Sequence, residues 1–421
     1  MNYLDSIVHA QKSGEARGVT SVCSAHPFVL EAALRHGLDR NTPVLIEATC
    51  NQVNQFGGYT GMTPADFIRF VGEITDRVGF PRDKLMLGGD HLGPLVWSNQ
   101  TANNAMANAK DLVQAYVQAG FTKIHLDCSM PCDDDKEFPV EMVAQRAAEL
   151  AQVAETAAGV GNLTLRYVIG TEVPSAGGAK AGEYHLAVTN PADAAQTIDL
   201  TRRAFSSLGL DSAWERVIAL VVQPGVEFGD EAVHDYDHPA ATGLARYIET
   251  VPGLVYEAHS TDYQPRAALR ALVEDHFAIL KVGPGLTFAF REAVFALTEM
   301  EEILVEGETS HLREALEAAM LENTSHWLKH YSGTSSRQKY SRAYSFSDRI
   351  RYYWNVPSVQ TSFSSLMRNM GDRPLPLSLL SQYLPEQYQD VRSGKIKNHP
   401  REILLSRVMD VLDDYALACD A

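Results

Sequence analysis

The chain has 421 residues, 45% of them hydrophobic and 21% charged, a balance that excludes a disordered or fibrous protein and suits a soluble globular one. Asp and Glu number 53 against 36 Lys and Arg, for a net charge of −17, so phosphate backbones and anionic bilayers would repel it and neither nucleic acid nor a membrane is expected as a partner. Five cysteines at irregular spacing, with no C-x-x-C, and a start without a basic and then apolar leader point to reduced thiols in a cytoplasmic protein.

In chain order, short apolar runs rich in β-branched residues predict strands at Val19–Cys23, Val44–Glu47, Leu85–Gly89, Lys123–Asp127, Leu163–Gly170, Val217–Gln223, Leu254–Ala258 and Phe277–Val282. Amphipathic stretches between them predict helices, among them Ala65–Val78, Ala102–Ala119, Val140–Ala158 and Ala192–Leu208. The pairs Thr63-Pro64, Asn190-Pro191 and Gln264-Pro265 supply a cap and a preset φ for helix starts. Strands alternating with helices require parallel pairing, and eight such units predict an α/β fold, a (β/α)8 TIM barrel over residues 1–300. An open dinucleotide-binding sheet is the weaker alternative, because no G-x-G-x-x-G follows the first run. Past residue 300 the alternation stops. Leu304–Asn323 and Ile403–Ala418 read as helices, with breaks at Pro357, Pro374 and Pro376, so residues 301–421 are expected as a helical C-terminal extension packed on the barrel.

Parallel barrels carry their chemistry at the C-terminal ends of the strands. Polar residues gather there in this chain. Ser24-Ala25-His26 follows the first run, Glu47 and Asn51–Gln55 the second, Asp90-His91 the third, and Asp127 and Ser129 the fourth. Thr171-Glu172 follows the fifth, Gln223 and Glu227 the sixth and His259–Asp262 the seventh; Lys281 and Gly283 mark the eighth. At Asp90-His91 the imidazole suits a divalent-metal ligand and the carboxylate a proton-exchanging group, since both can face the mouth where a strand ends and the chain turns. His259 is the natural second ligand, a neutral imidazole favouring Zn²⁺. Glu172 is favoured as the third ligand and as a further acid/base group, with Gln223 the poorer donor. His26 and His125 read as structural, the latter turned away from the mouth.

Lys281 reads as a charge that supports the mouth or binds an anion, in preference to a Schiff-base lysine. Ser260, Thr261 and the backbone amides around Gly283 and Gly285 could hold a phosphate ahead of a helix N-terminus. Gly57–Gly61 is a flexible loop, either a lid over the substrate or a surface turn. There is no G-x-x-x-x-G-K-[ST] phosphate loop, no kinase signature set and no G-x-S-x-G elbow, which leaves phosphoryl transfer and serine hydrolysis poorly supported.

These residues carry a resemblance. SVCSAHP (Ser21–Pro27), IEATCNQVNQFGGYTGMTPADF (Ile46–Phe67), GGDHLGP (Gly88–Pro94), IGTEVP (Ile169–Pro174), VVQPGVEF (Val221–Phe228), VYEAHSTDYQ (Val255–Gln264), FAILKVGP (Phe277–Pro284), SDRIRYYW (Ser347–Trp354) and SQYLP (Ser381–Pro385) look like the GatZ/KbaZ family, named for a subunit of D-tagatose-1,6-bisphosphate aldolase. The similarity covers nearly the whole chain. It implies a class II aldolase-like barrel, a divalent metal and a phosphorylated ketose as substrate. Some members of the family support a separate aldolase catalytic subunit, whereas others act alone as D-tagatose 6-phosphate 4-epimerases; a homo-oligomer is a further expectation. In the class II pattern the Asp that follows the third strand transfers protons and the adjacent His ligates, which Asp90 and His91 match; His259 matches a ligand after the seventh. That pattern has a further histidine after the sixth strand, where this chain has Gln223.

For a ketose 4-epimerase, the C4 hydrogen is β to the carbonyl and not acidic, so direct deprotonation fails. Without a nicotinamide fold, the route left is cleavage of C3–C4 and re-addition to the other face. Glu47 and Asp127 would then hydrogen-bond sugar hydroxyls, and Asn51, Ser129, Gln223, Ser260, Thr261, Lys281 and Gly283 complete the expected substrate contacts.

Overall fold

The computed structural model describes residues 2–170, 186–371 and 373–420. Eight strands form a closed parallel barrel: β1 (Val19–Cys23), β2 (Val44–Thr49), β3 (Leu85–Leu92), β4 (Lys123–Leu126), β5 (Arg166–Gly170), β6 (Val217–Val221), β9 (Val255–Ala258) and β10 (Phe277–Val282). Their order around the barrel is β1-β10-β9-β6-β5-β4-β3-β2, so each pairs with its neighbours in sequence and β10 closes on β1. Two short strands after β6, β7 (Glu227–Phe228) and β8 (Val233–His234), make an antiparallel ribbon outside it. All eight predicted barrel strands are present. The run at β3 extends to Leu92, which carries Asp90 and His91 into the strand itself.

Helix starts follow their capping chemistry. Thr63 accepts from the Asp66 amide while the Asp66 carboxylate accepts from the Thr63 amide, and Pro64 opens the helix Pro64–Val78. Asn190 caps Pro191–Ser207 in a similar way, through the Ala192 amide. An N-terminal helix, Tyr3–Lys12, closes the N-terminal end of the barrel. Its Leu4, Ile7 and Val8 pack on inner-layer residues including Val19, Leu45, Val168, Val255 and Ile279.

The C-terminal part departs from one expected helix. Of Leu304–Asn323, Leu304 ends the helix Pro284–Leu304 that follows β10, and a separate helix spans Leu312–Glu322. Glu301 turns the chain between them by accepting from Ser310 N (3.0 Å) and Ser310 Oγ (2.5 Å). The residue 300 boundary falls within Pro284–Leu304. The last helix, Pro400–Cys419, packs between Arg266–Glu274 and Pro27–Arg40, on Pro284–Leu304 and on β1. It thus occupies the place in the outer ring next to β1. Gly18 N donates to Cys419 O (2.9 Å), and Arg35–Glu402 (3.1 Å) and His36–Asp413 (3.0 Å) tie the helix to Pro27–Arg40. No helix among the described residues is long and apolar enough to cross a membrane.

Candidate active site

Barrel register places two polar layers above the apolar one. Glu47 pairs with Gly88 and Gly88 with Lys123, while Thr49 pairs with Asp90, so Glu47 and Lys123 lie one step below Asp90. In the lower layer Lys123 Nζ sits 2.7 Å from Glu47 Oε1 and 2.6 Å from Glu257 Oε2. Lys281 Nζ lies 3.6 Å from Glu47 Oε2 and 3.5 Å from Glu257 Oε1, and it also contacts Asp90 Oδ1. Ser21 Oγ donates to Glu47 Oε1 (2.6 Å). All of these groups are buried. Gly88 makes room for them, because a Cβ there would stand 2.8 Å from Glu47 Cγ. Burial disfavours both ammonium charges, but the facing carboxylates outweigh it and raise Lys123 and Lys281 above the ordinary lysine value. A Schiff base needs a neutral amine, and Lys281 is held as an ammonium.

The upper layer joins Asp90, His91, His125 and His259, whose ligating atoms all lie within 4.8 Å of one another. Adjacent strand residues normally point to opposite faces. His91 escapes that rule because its backbone is left-handed (φ 49°) where the β3–β4 register shifts, so its ring turns in beside Asp90. The ring centroids of His91 and His259 are 4.8 Å apart. His91 Nδ1 hydrogen-bonds to Asp127 Oδ2 (2.7 Å), which leaves Nε2 toward the cluster, 3.8 Å from Asp90 Oδ2. His259 Nε2 is 2.9 Å from Glu257 Oε1. A carboxylate behind an imidazole fixes ring and tautomer, the arrangement common behind metal-bound histidines. Asp90, His91 and His259, converging in a buried cluster, fit part of a Zn²⁺-type donor set, with His125, whose two nitrogens are engaged by the protein, beside them. Burial alone would raise the Asp90 carboxyl; His91, Lys281 and His125 reverse that and hold it well below the usual carboxylate range.

Placement separates the expected residues. Asp90, His91 and His259 come together. Glu172 lies outside the described residues. Asp127 spends its oxygens on His91 and on Ser129, whose amide (3.0 Å) and hydroxyl (2.6 Å) both donate to Oδ1, so this pair holds His91 in place. Glu47 is directed into the lower layer. Asn51 is exposed on the turn after β2 and accepts from the Tyr59 amide (3.0 Å). Gln223 Oε1 accepts from Gly225 N (2.8 Å); its buried Nε2, a donor and no metal ligand, has no partner among the described residues. Ser260, left-handed at φ 53°, follows His259 and is partly exposed.

Three expectations need correction. Thr261 is fully buried: its hydroxyl donates to Lys281 O (2.7 Å) and meets Tyr415 OH (2.9 Å), so it serves the fold instead of a phosphate. The Gly283 and Gly285 amides both donate to Asp262 Oδ1 (2.9 and 2.7 Å), so the helix N-terminus already holds an internal anion. His125 faces inward, because residues two apart on a strand share a face and Lys123, His125 and Asp127 all do so. Its Nε2 meets Gly170 O (3.0 Å), and its Nδ1 lies 2.9 Å from Asp90 Oδ1 and 3.2 Å from His91 N. Lys123 and Glu257 are missing from the sequence-based set. The alternation in KIHLD and in EAH, read with the correct parity, marks both.

An eight-stranded parallel barrel with a buried carboxylate and imidazoles gathered at the C-terminal ends of its strands defines a TIM-barrel protein. More narrowly, the chain belongs to the GatZ/KbaZ-like family: the model described as D-tagatose-1,6-bisphosphate aldolase subunit GatZ/KbaZ-like matches residues 4–420. A solved structure from Sinorhizobium meliloti 1021, described as a probable tagatose 6 phosphate kinase, is 47% identical with TM-score 0.88, covering 96% of this chain and 100% of that one. The fructuronate-tagaturonate epimerase UxaE from Cohnella laeviribosi matches at 12% identity and TM-score 0.49, covering 95% and 81%. The YdjI aldolase from Escherichia coli K12 matches at 11% identity and TM-score 0.41, covering 86% and 97%.

Proposed function

We propose that this chain is a cytoplasmic, metal-dependent D-tagatose 6-phosphate 4-epimerase, acting in carbohydrate catabolism by retro-aldol cleavage and re-addition. The observation that carries the reading is the meeting of Asp90, His91 and His259 in one buried cluster at the barrel mouth. His91 and His259 would hold the ion, with Asp90 beside them and Glu172 as the proposed further ligand. A bound divalent cation supplies Lewis-acid polarisation of the ketose C2 oxygen and takes up the negative charge that develops when C3–C4 parts. Asp90, kept ionised by Lys281 and His91, removes the C4 hydroxyl proton as the bond breaks. The aldehyde half then presents its other face, C3–C4 re-forms, and Asp90 returns the proton to the new C4 oxygen. No atom is gained or lost, as an isomerisation requires.

The family description favours a second reading, a non-catalytic subunit that stabilises a separate aldolase. Phosphoryl transfer, suggested by the name of the Sinorhizobium relative, lacks a nucleotide phosphate loop in this sequence. The deciding experiment incubates the pure chain with D-tagatose 6-phosphate and Zn²⁺, with no second protein. Fructose 6-phosphate should form. If none forms over a panel of divalent metals, while a partner aldolase gains stability on mixing, the subunit reading replaces this one.

A further inference from the structure

The Gly283–Gly285 amides are taken by Asp262, a carboxylate that would repel a phosphate placed there, so the phosphorylated end of a substrate needs another receptor. A cavity beside the same turn offers one. Ser24 and His26 of the β1 end, Thr60 of the glycine-rich loop, Gly283, and Arg351 and Trp354 of the C-terminal part line it. Arg351 donates to Ser347 O and to Asp348 O (3.1 Å), and its NH2 donates to Tyr352 OH (2.8 Å); no carboxylate among the described residues lies within ion-pair distance of it, and those of Asp348 and Asp262 act on it only at longer range. Arg146, Arg166, Arg216, Arg291 and Arg342, by contrast, are each paired with Asp or Glu. Its guanidinium lies 4.4 Å from the centroid of the Tyr352 ring, which meets the Tyr59 ring at 4.6 Å, so the loop after β2 and the C-terminal part close on one another around it. The cavity is polar but incompletely paired. Ser24 Oγ accepts from His26 N (3.2 Å) and gives its own proton to no described residue. His26 Nδ1 and Trp354 Nε1, both buried, have no partner among the described residues.

We propose that Arg351 is the substrate's phosphate receptor, a specificity-determining residue that the C-terminal part contributes to the barrel mouth, with Ser24 beside it. A guanidinium presents parallel donors that match phosphate oxygens. The proposal rests on the sugar-phosphate reading above and deepens it: the barrel alone would lack its phosphate grip.

The test uses the full chain and its Arg351→Gln and Arg351→Lys variants. Thermal-shift titrations with fructose 6-phosphate, inorganic phosphate and fructose read binding without turnover. Wild type should respond to the two phosphates and not to fructose, and Arg351→Gln should bind fructose 6-phosphate on the order of 10- to 100-fold more weakly. Arg351→Lys, which keeps the charge and loses the fork, should fall between them. In turnover of tagatose 6-phosphate, KM should rise in both variants by far more than kcat falls. If Arg351→Gln does not fold, Arg351→Lys carries the test, and wild-type affinity in that variant overturns the proposal. Wild-type affinity in a folded Arg351→Gln overturns it too, as does a wild type that binds neither phosphate. Phosphate binding lost in Arg351→Gln, with no epimerisation by the wild type, leaves the receptor standing and removes the epimerase reading. Epimerisation with KM unchanged in the variants does the reverse.

Discussion

The two polar layers inside the barrel put buried ionisable groups to different ends. In the lower one, Lys123 and Lys281 face Glu47 and Glu257, each ammonium is shared between carboxylates, and every group is buried. In the upper one, Asp90 gathers with three imidazoles whose ligating atoms converge. Charges already matched inside the protein can stiffen a barrel but have little left to offer a ligand. Imidazoles that converge on a carboxylate can take a cation. Lys281 belongs to both layers, since it contacts Asp90 from below. The lower layer therefore acts as the electrostatic floor on which the mouth's carboxylate stays ionised.

Asp90→Asn breaks the contrast most severely. It removes the proposed acid/base while sparing the lower ion pairs, and turnover of tagatose 6-phosphate should fall about a hundred- to ten-thousand-fold, with the far-UV circular dichroism spectrum unchanged. Wild-type-like turnover would discard Asp90 as the proton-transfer group.

Lys123→Met attacks the floor instead. It leaves Glu47 and Glu257 with Lys281 alone, which Asp90 also claims, and urea unfolding should show a loss of about 3–5 kcal/mol. A loss below about 1 kcal/mol would mean that water or rearrangement relieves the layer, and the two layers would not differ as described.

Asp127→Asn sharpens the comparison at the cluster's edge. The carboxylate behind His91 is weakened, so Zn²⁺ affinity measured by competition with a chromogenic chelator should drop about 10- to 100-fold with little change in stability.

The smallest effect concerns Asp262, which burial raises to about 6 despite the Gly285 and Gly283 amides. A carboxyl raised in the folded state holds its proton more tightly folded than unfolded. Its contribution to stability is therefore full at acid pH, falls as pH rises from about 4 to about 6, and is constant above that. Asp262→Asn keeps an oxygen for both amides and removes the titration. Relative to wild type its Tm should improve above pH 6 and not near pH 4, a difference that parallel melting curves would detect.

Much of the fold was legible because parallel strands buried on both faces leave continuous apolar runs, and because Pro, Thr and Asn mark helix starts locally. Asp90 and His91 were legible for a related reason, since catalytic groups in such barrels follow the strands. His125 was placed wrongly through strand parity, and the sequence-based set omits Lys123 and Glu257 although they stand on predicted strands. Thr261 and Gly283 looked like phosphate ligands from their neighbours in the chain, but their partners, Tyr415 and Asp262, are matters of packing.

The amino-acid order by itself determined the eight parallel strands, the apolar lining and the residue types available at the mouth, because periodicity, capping and burial act over a few neighbouring residues. Only the tertiary structure decided which charges cancel and which stay available. Register sets the height of each side chain, the left-handed backbone at His91 turns its ring inward, and the helix Pro400–Cys419 returns to β1 from the far end of the chain. Those are relations between distant residues, fixed by closure of the barrel and by the space that its neighbours leave.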